Sequence, residues 1–316
     1  MTTKLNVLQV IPKLGYGGAE TGCYDIAHFL SENDCGSFLA TSGGELIKFI
    51  KKDKVKLIRL PVHSKNPILI LFNTLILIIY IRVFLKKEHE RRFKEKISIN
   101  HFNIKRDFKK KLIWFHVASI GELQSILPLI NKITKTSQNI EILITTVTLS
   151  SANLLKRKLI ELQNVNHRFF PLDLNSLSIA FLEKWKPDLV CFVDSEIWPN
   201  FLINIKEKKI PLILLNGRIT KKTFKRWSKI PKFAKQIFNC FDLCLASSNE
   251  SENNLKLLNV SNIMFIGNLK FTYEINNQIN LNNDLEKKSL KNFYTWCAAS
   301  THKGEEEIII KAHLLL

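Results

Sequence analysis

The sequence predicts an α/β fold built on parallel sheets. Apolar strand-like runs alternate with helical segments along most of its 316 residues, which is the pattern of repeated strand–helix–strand units. A hydrophobic content of 46% is enough for an ordinary buried core. At this length, the usual size of a domain suggests about two domains.

The first predicted strand is Leu5–Ile11, which ends at Pro12. The segment Gly15-Tyr-Gly-Gly-Ala-Glu20 follows it and leads into a helix that extends to about Leu30. A glycine-rich turn between a strand and a helix lets the backbone approach a phosphate, but a tight turn without a ligand explains the same residues. Further strands at 38–41 and 56–60, around a short helix at 46–52, predict the opening of a Rossmann-like half.

Residues 67–85 are the most hydrophobic stretch of the chain. Its apolar centre, 68–81, spans about 14 residues and falls short of the roughly 20 that cross a bilayer. A basic cluster follows directly, consisting of Arg82, Lys86, Lys87, Arg91, Arg92, Lys94 and Lys96. An apolar helix beside such cations fits a membrane-surface anchor, and a buried Rossmann-type helix is the alternative.

Residues 86–111 carry dense charge without a clear strand, which indicates a linker or a solvated helix with a linker. The formal net charge of +19 favours polyanionic partners. We expect no nucleic-acid binding, because no aromatic residues interleave with these cations and no binding motif is present. The six cysteines have the spacing of neither a CxxC redox motif nor a zinc site, which indicates a reducing compartment.

The alternation becomes regular from Leu112 onwards. Strand-like runs recur at 112–115, 140–146, 189–193, 211–215 and 243–246. The segments between and after them have helical patterns, at 123–133, 150–162, 179–185, 199–208, 222–238 and 250–257. This order predicts a parallel, doubly wound sheet, whose ligands bind at the carboxyl ends of its strands.

Polar residues stand at those carboxyl ends: Glu122, Thr145-Thr146, Asp194-Ser195-Glu196 and Asn216-Gly-Arg218. Each has a purely structural interpretation. Glu122 could complement the dipole of the helix that it opens, either of the other acids could cap the helix near Pro199, and Arg218 could pair with one of them. Two acids and an arginine on one rim nevertheless fit an acid–base centre that faces an anionic substrate.

The last segment predicts the start of a second domain. A short strand at 263–266 precedes an irregular linker at 276–291 and another strand at 293–298. A helix follows, with Ser300 or Thr301 as its cap and three glutamates in its first turn. We expect this second domain to be incomplete at Leu316.

Six motifs in order resemble the 3-deoxy-D-manno-octulosonic acid (Kdo) transferases, over residues of about 86 to 316. They are Phe115-His-Val-Ala-Ser-Ile-Gly-Glu122, Phe170-Pro-Leu-Asp-Leu174, Asp194-Ser-Glu-Ile-Trp-Pro-Asn200, Asn216-Gly-Arg218, Gly267-Asn-Leu-Lys-Phe271 and Ser300-Thr-His-Lys-Gly-Glu-Glu-Glu307. The resemblance implies a GT-B architecture, with an acceptor domain at 112–275 and only the beginning of a second Rossmann-like domain at 276–316. Family members often have a glutamate where this chain has Asp194.

The resemblance also implies an activity: metal-independent, inverting transfer of Kdo from CMP-Kdo to the lipid A precursor, lipid IVA, without a cofactor. Glu122 would be the general base, and Glu196 and Lys270 would stabilise the transition state. Ser119, Gly121, Asp194, Arg218, Ser300 and Thr301 would bind the substrates. The location implied is the cytoplasmic face of the cell inner membrane, with an anionic membrane surface as partner and a peripheral or single N-terminal attachment.

Residues 1–82 do not resemble that family. The segments Gln9–Glu20 and Leu60–Pro67 instead resemble the start of a GT-B nucleotide-sugar glycosyltransferase. We therefore expect a fusion near 81–87, with 83–111 as a basic, membrane-proximal linker. The family's CMP-binding loops would lie beyond Leu316, so we expect weak or no transfer by this chain alone. Another nucleotide-sugar glycosyltransferase and a non-catalytic basic protein of the membrane surface are the alternatives.

Overall fold

The computed structural model describes residues 5–64, 66–98, 106–160, 162, 164–272, 298–299, 301–302 and 304–314. The chain forms two compact units, Met1–Tyr273 and Glu274–Leu316. The first unit contains two parallel sheets, and the second contributes one described helix. The prediction of an α/β fold with parallel sheets is confirmed.

The first sheet has three parallel strands in the order β1-β2-β3. They are β1 Asn6–Ile11, β2 Gly36–Thr41 and β3 Val55–Arg59. Helix α1, Gly18–Glu32, joins the first two strands, and a 3-10 helix, Glu45–Phe49, precedes the third. Apolar residues of these elements, including Leu14, Ala27 and Leu39, form one buried cluster.

Helix α2, Pro67–Phe84, packs one face on this sheet. Ile76 is buried against Ala40 and Ile58, and the side-chain amide of Asn73 donates to the carbonyl of Pro61 at 2.9 Å. Leu69, Ile70 and Ile78 on the same helix are exposed. Among the described residues, no helix combines the length and the apolarity required to span a bilayer.

The second sheet has seven parallel strands in the order β10-β9-β8-β7-β4-β5-β6. The strands are β4 Lys111–Val117, β5 Ile140–Thr146, β6 Val165–Phe169, β7 Leu189–Val193, β8 Leu212–Gly217, β9 Leu243–Ala246 and β10 Ile263–Phe265. The helices are α3 Ile120–Thr136, α4 Leu149–Lys158, α5 Asn175–Trp185, α6 Pro199–Glu207, α7 Lys221–Trp227, α8 Pro231–Phe238 and α9 Asn249–Leu257. A 3-10 helix, Leu269–Thr272, follows the last strand.

Alternate residues of β4 enter different apolar clusters. Leu112 and Trp114 belong to a cluster with residues of α5, α6 and α8, whereas Phe115 and Val117 pack with residues of α3. This is the two-residue period of a strand that is covered on both faces. Because β4 lies inside the sheet and is buried along its second half, the turn that follows it has a firmly supported position.

The segment after α2 differs from the expected solvated linker. Glu88, Phe93, Glu95 and Lys96 are buried, and a 3-10 helix runs through Arg92–Lys96. The interpretation as a solvated segment is wrong for these residues, because they are buried. The charges of Glu88, Glu95 and Lys96 are compensated by ion pairs inside the protein. Three of the seven cations of the basic cluster are therefore involved in internal ion pairs: Arg82 with Glu88, Arg92 with Glu95 and Lys96 with Glu88.

This segment also contacts the second sheet. The Lys96 ammonium donates to the carbonyl of Val147 at 2.7 Å. The backbone carbonyl of Lys96 accepts from the backbone N–H of Leu172 at 2.8 Å. Burial lowers the pKa of Lys96, although the hydrogen bond from its ammonium to Glu88 opposes that change. The segment thereby supports the loops that follow β5 and β6.

Two helix predictions need correction, and one strand was missed. The single helix expected at 222–238 is two helices, since Pro231 lacks the N–H that a continuous helix needs and instead begins α8. The helix expected at 150–162 ends at Lys158. Strand β6 was not predicted, because Asn166, His167 and Arg168 interrupt its apolar pattern.

In the second unit, helix α10 runs from Glu305 to His313 and carries three glutamates in its first turn. The predicted linker at 276–291 and residues 293–297 of the predicted strand lie outside the described residues, as does Ser300. Thr301 is exposed, and its side chain hydrogen-bonds that of Glu306.

Candidate active site

The strand order of the second sheet places its ligand crevice. The chain adds β5 and β6 on one side of β4, then crosses to the other side with β7 and continues outwards from there. The boundary between β4 and β7 is therefore the point where the winding direction reverses, and parallel α/β sheets bind ligands at that point. Glu122 follows β4, and Asp194 and Glu196 follow β7, so all three predicted acids lie at this boundary.

Glu122 and Ser119 form a variant of the capping box at the start of α3, in which the carboxylate bonds the Ala118 N–H in place of the N–H of the capping serine. The Ser119 hydroxyl accepts from the Glu122 backbone N–H at 3.2 Å and donates to Oε1 of the Glu122 carboxylate at 2.8 Å. The other carboxylate oxygen, Oε2, accepts from the backbone N–H of Ala118 at 2.7 Å. These two hydrogen bonds hold the carboxylate in one orientation. Because each carboxylate oxygen has two acceptor positions, the carboxylate can still accept another hydrogen bond.

The Glu122 side chain is also difficult to ionise. Its residue is only 9% exposed, and burial raises its pKa, with a smaller contribution from the negative charges of Glu196 and Asp194. The hydrogen bonds from Ala118 and Ser119 oppose this effect but do not cancel it. A carboxylate with a raised pKa binds a proton more readily, as a general base requires. The capping role and the base role are thus compatible in one residue.

Glu196 has the opposite bias. Burial opposes its ionisation, but hydrogen bonds with His116 and Trp198 outweigh burial and hold its pKa below the ordinary value. Its Oε2 is 3.2 Å from Nε2 of His116 and accepts from Nε1 of Trp198 at 2.8 Å. Two neighbouring carboxylates whose environments move their pKa values apart have the arrangement expected of an acid–base pair.

A buried hydrogen-bond chain fixes the His116 ring. Thr145 Oγ1 accepts from Nε1 of Trp114 at 2.9 Å and lies 3.0 Å from Nδ1 of His116. The ionised Glu196 carboxylate can only accept, so Nε2–H of His116 donates to it, and Nδ1 of the neutral ring can then accept from the Thr145 hydroxyl. The ring of His116 is completely buried and stacks on Phe170 with centroids 3.8 Å apart.

Asp194 holds the lysine that the sequence predicted as functional. Its Oδ2 accepts from the Lys270 ammonium at 2.8 Å, and its Oδ1 accepts from the side-chain amide of Asn216. Asn216 in turn accepts the backbone N–H of Leu269 at 3.0 Å, so it connects the aspartate to the loop that carries the lysine. Asp194 and Asn216 both adopt left-handed backbone conformations, with φ of +57° and +56°. Such conformations are enriched in functional sites.

Lys270 lies beside the start of α3. A Cβ atom at Gly121 would be 3.9 Å from Cε of Lys270, an ordinary van der Waals contact, which shows how closely the lysine stem passes the residue before Glu122. The Lys270 side chain is 37% exposed, which leaves its ammonium accessible to a ligand. Arg218 is exposed, and only its backbone joins this group: its N–H donates to the Asp194 carbonyl and its carbonyl accepts from Ser195. The cation paired with Asp194 is therefore Lys270, not Arg218.

The glycine-rich segment near the N-terminus favours the tight-turn interpretation. The Glu20 carboxylate accepts the backbone N–H of Gly17 at 3.0 Å. The same Oε2 atom lies 2.7 Å from the position of a Cβ at Gly15. A carboxylate from the chain itself thus occupies the space that a phosphate oxygen would need.

Two site residues, His116 and Trp198, were not singled out from the sequence, and a third, Asn216, was named at a strand end without a predicted role. All three lie inside motifs that were recognised, and Asn216 opens one of them. The available signal for His116 was its position as a polar residue on a strand whose neighbours are all apolar. Among the described residues, the His, Cys, Asp and Glu side chains form no group of three that could hold a metal ion. Metal independence stays a prediction.

Residues 90–273 match the family model described as 3-Deoxy-D-manno-octulosonic-acid transferase (kdotransferase). Among curated relatives, a 3-deoxy-D-manno-octulosonic acid transferase of Rickettsia typhi is 37% identical over 211 residues, 66% of this chain and 44% of the relative. The protein of the same name from Rickettsia bellii is 36% identical over 238 residues, 74% of this chain and 54% of the relative. The one from Haemophilus influenzae is 29% identical over 213 residues, 65% and 48% of the two chains.

Solved structures show more distant similarity. A UDP-GlcNAc 2-epimerase from Neisseria meningitidis has 16% identity and a TM-score of 0.39, covering 60% of this chain and 55% of its own. The S. aureus MnaA–UDP co-structure has 14% identity and a TM-score of 0.41, covering 57% and 51%. We draw no functional conclusion from similarities this low.

The chain spans about half the length of the curated relatives it matches. The family match covers the complete second sheet and the three acids at its centre. It begins after α2, so it does not include the first sheet. By this match, the chain belongs to the 3-deoxy-D-manno-octulosonic acid transferase family.

Proposed function

We propose that this chain takes part in the transfer of Kdo from CMP-Kdo to the lipid A precursor, lipid IVA, with Glu122 as the general base. The observation that carries the proposal is the state of Glu122: a carboxylate fixed by a capping box, buried, and raised in pKa at the winding reversal of a parallel sheet. The family membership supplies the class of reaction.

In the proposed step, a hydroxyl oxygen of the lipid acceptor forms a bond to the anomeric carbon of Kdo. The bond from that carbon to the CMP phosphate oxygen breaks, and CMP leaves with the electron pair. Glu122 takes the proton of the attacking hydroxyl as the new bond forms. Attack from the side opposite the phosphate inverts the anomeric configuration, and a carboxylate base with a lysine cation requires no metal ion.

Two charged groups suit the transition state of this step. Glu196, which is kept ionised by His116 and Trp198, can stabilise positive charge that develops at the anomeric carbon. The Lys270 ammonium suits the negative charge that develops on the departing phosphate. Ser119 and Gly121 would position the acceptor beside Glu122, with Asp194 and Arg218 near the sugar. Ser300 and Thr301 would serve the donor.

We also propose a location at the cytoplasmic face of the inner membrane. The acceptor is a lipid, and the protein carries a net charge of +19. An anionic membrane surface would attract such a protein and bring the crevice to its substrate.

Glu122→Gln tests the assignment of the base. Glutamine keeps the capping box, because its carbonyl oxygen can accept from Ala118 and its amide can donate to Ser119, but it cannot take a proton. We expect transfer from CMP-Kdo to lipid IVA, measured by mass spectrometry after long incubation, to fall by about 10²–10⁴-fold. Lipid IVA binding, measured in parallel, should change little.

A matched control is Glu141→Gln. Glu141 is also buried, and burial likewise raises its pKa. It lies at the start of β5, however, and so at the amino ends of the strands, away from the crevice at their carboxyl ends. Its replacement should leave the rate within a few-fold of the parent. Equal and measurable rates of transfer for the parent and Glu122→Gln would refute the assignment, and loss of lipid IVA binding in Glu122→Gln would point to a binding role instead.

A further inference from the structure

A large basic cavity lies in the part of the chain that precedes the family match. It has a volume of about 1100 Å³. One wall comes from β3 and the turn before it, and the other comes from the end of α2 and the residues up to Phe93. Eleven of its fourteen lining residues precede residue 90, where the match begins, and none belongs to the group around Glu122. The cavity is therefore separate from the proposed catalytic crevice.

The cavity has a strong excess of positive charge. Five cations and a single acid, Glu90, line it; the cations are Lys52, Lys56, Arg59, Lys86 and Arg91. All six side chains belong to exposed residues. Within the described parts of the chain, no carboxylate lies within 4.0 Å of any of these cations, which leaves a net charge of about four around one concave space.

Among the described residues, three neighbouring cations outside the cavity are paired with acids, whereas the five that line it are not. Arg82 and Lys96 share the carboxylate of Glu88, and Arg92 pairs with Glu95. The acids of the segment thus compensate the cations that face the interior, whereas Lys86 and Arg91 line the cavity. Holding like charges together costs stability unless an anion binds among them.

The floor of the cavity is aromatic. The rings of Tyr80 and Phe93 pack edge to face with centroids 5.0 Å apart, and Phe38 lies on the other wall. The Lys56 ammonium lies 5.4 Å from the centroid of the Phe38 ring. A concave site with apolar surface at its base and cations at its rim fits a ligand that is both anionic and partly apolar.

We propose that this cavity binds a phosphate ester of several negative charges, with its phosphates among the five cations and its apolar part on the aromatic floor. The chemistry fits the headgroup of a phospholipid, and α2, which lines one wall of the cavity, also has exposed apolar residues such as Ile78 that a bilayer could cover. It also fits a soluble phosphate ester. The two sources share the phosphate chemistry and differ in whether binding requires a bilayer.

The test compares two double variants with the same change of charge. Lys56→Glu with Arg59→Glu reverses two cations of the cavity on an exposed strand edge. Lys132→Glu with Lys135→Glu reverses two exposed cations on α3, outside the cavity. Circular dichroism melts establish that both variants fold. Binding is measured by calorimetry with inorganic pyrophosphate, and by flotation with phosphatidylcholine vesicles with and without phosphatidylglycerol.

We expect the cavity variant to bind about tenfold or more weakly than the parent in at least one of the two assays, and the α3 variant to bind within about twofold of it. Cavity-dependent binding of pyrophosphate alone identifies a soluble ester. Cavity-dependent binding of phosphatidylglycerol vesicles alone identifies a lipid headgroup. The proposal is overturned if the parent binds neither probe, or if both variants lose binding equally.

Discussion

Replacing Asn216 should separate the geometry of the Lys270 loop from the stability of the sheet. Asn216 is 1% exposed and makes two hydrogen bonds, one to the Asp194 carboxylate and one from the Leu269 N–H. Asn216→Ala removes a bond to a charged group, of about 1.5–3 kcal/mol, and leaves a backbone N–H unsatisfied, at about 1–3 kcal/mol. A left-handed conformation costs alanine about 1 kcal/mol more.

These contributions predict a loss of about 3.5–7 kcal/mol in the free energy of unfolding for Asn216→Ala. Asn216→Gly loses the same hydrogen bonds but tolerates the φ of +56°, so it should lose about 1 kcal/mol less. Urea unfolding followed by tryptophan fluorescence measures both values. Transfer should fall in both variants, because Asp194 and the loop that carries Lys270 lose their connection.

Asn204→Ala is the matched control. Asn204 is also buried, and its side-chain amide bonds to Asn175 and Ser178, away from the crevice. It should lose stability without a comparable loss of transfer. The reasoning is refuted if both Asn216 variants unfold within about 1 kcal/mol of the parent, or if the control loses transfer to the same extent.

Three further predictions concern charge and backbone. Because burial raises the pKa of Glu122 above its unfolded value, its ionisation costs stability; the free energy of unfolding of the parent, relative to that of Glu122→Gln, should fall as pH rises above about 4.5 in urea melts. His116→Phe keeps a ring against Phe170 but removes the hydrogen bond to Glu196, so the pKa of Glu196 should rise, as measured by NMR of the labelled carboxylate. Gly44→Ala should destabilise the first sheet by about 3 kcal/mol or more in thermal melts, since the added Cβ would lie within 3 Å of the Leu14 backbone, whereas Gly22→Ala, in an open helical position, should stabilise it by about 0.5–1 kcal/mol.

The strands of the second sheet could be predicted because their surroundings are uniform. A strand covered on both faces needs apolar residues at nearly every position, so β4, β5 and β7 stand out from the sequence. Strand β6 lies at the edge of the sheet and includes Asn166, His167 and Arg168. His167 is satisfied by Thr146 and by Arg92, a residue 75 positions earlier. Such distant partners have no local sequence signal.

In the site, too, the features with a local sequence signal could be predicted, and those that depend on distant partners could not. Placing Glu122, Asp194 and Glu196 on one rim required only the strand–helix alternation and the location of strand ends. The partner of each acid was harder to predict, because it depends on tertiary contacts. Arg218 was a reasonable candidate from its motif, yet Lys270, which lies 76 residues beyond Asp194, makes the ion pair. The pairing of His116 with Glu196 across neighbouring strands is of the same kind.

The position of β4 inside the sheet, between β7 and β5, has a consequence for synthesis of the chain. When β4, β5 and β6 have left the ribosome, the edge of β4 that will receive β7 has no partner, because β7 begins only at Leu189. An apolar parallel edge without a partner is prone to pair with other chains. The nascent chain therefore passes through a stage in which the edge of β4 is prone to aggregation, and the arrival of β7 ends that stage while bringing Glu196 to His116.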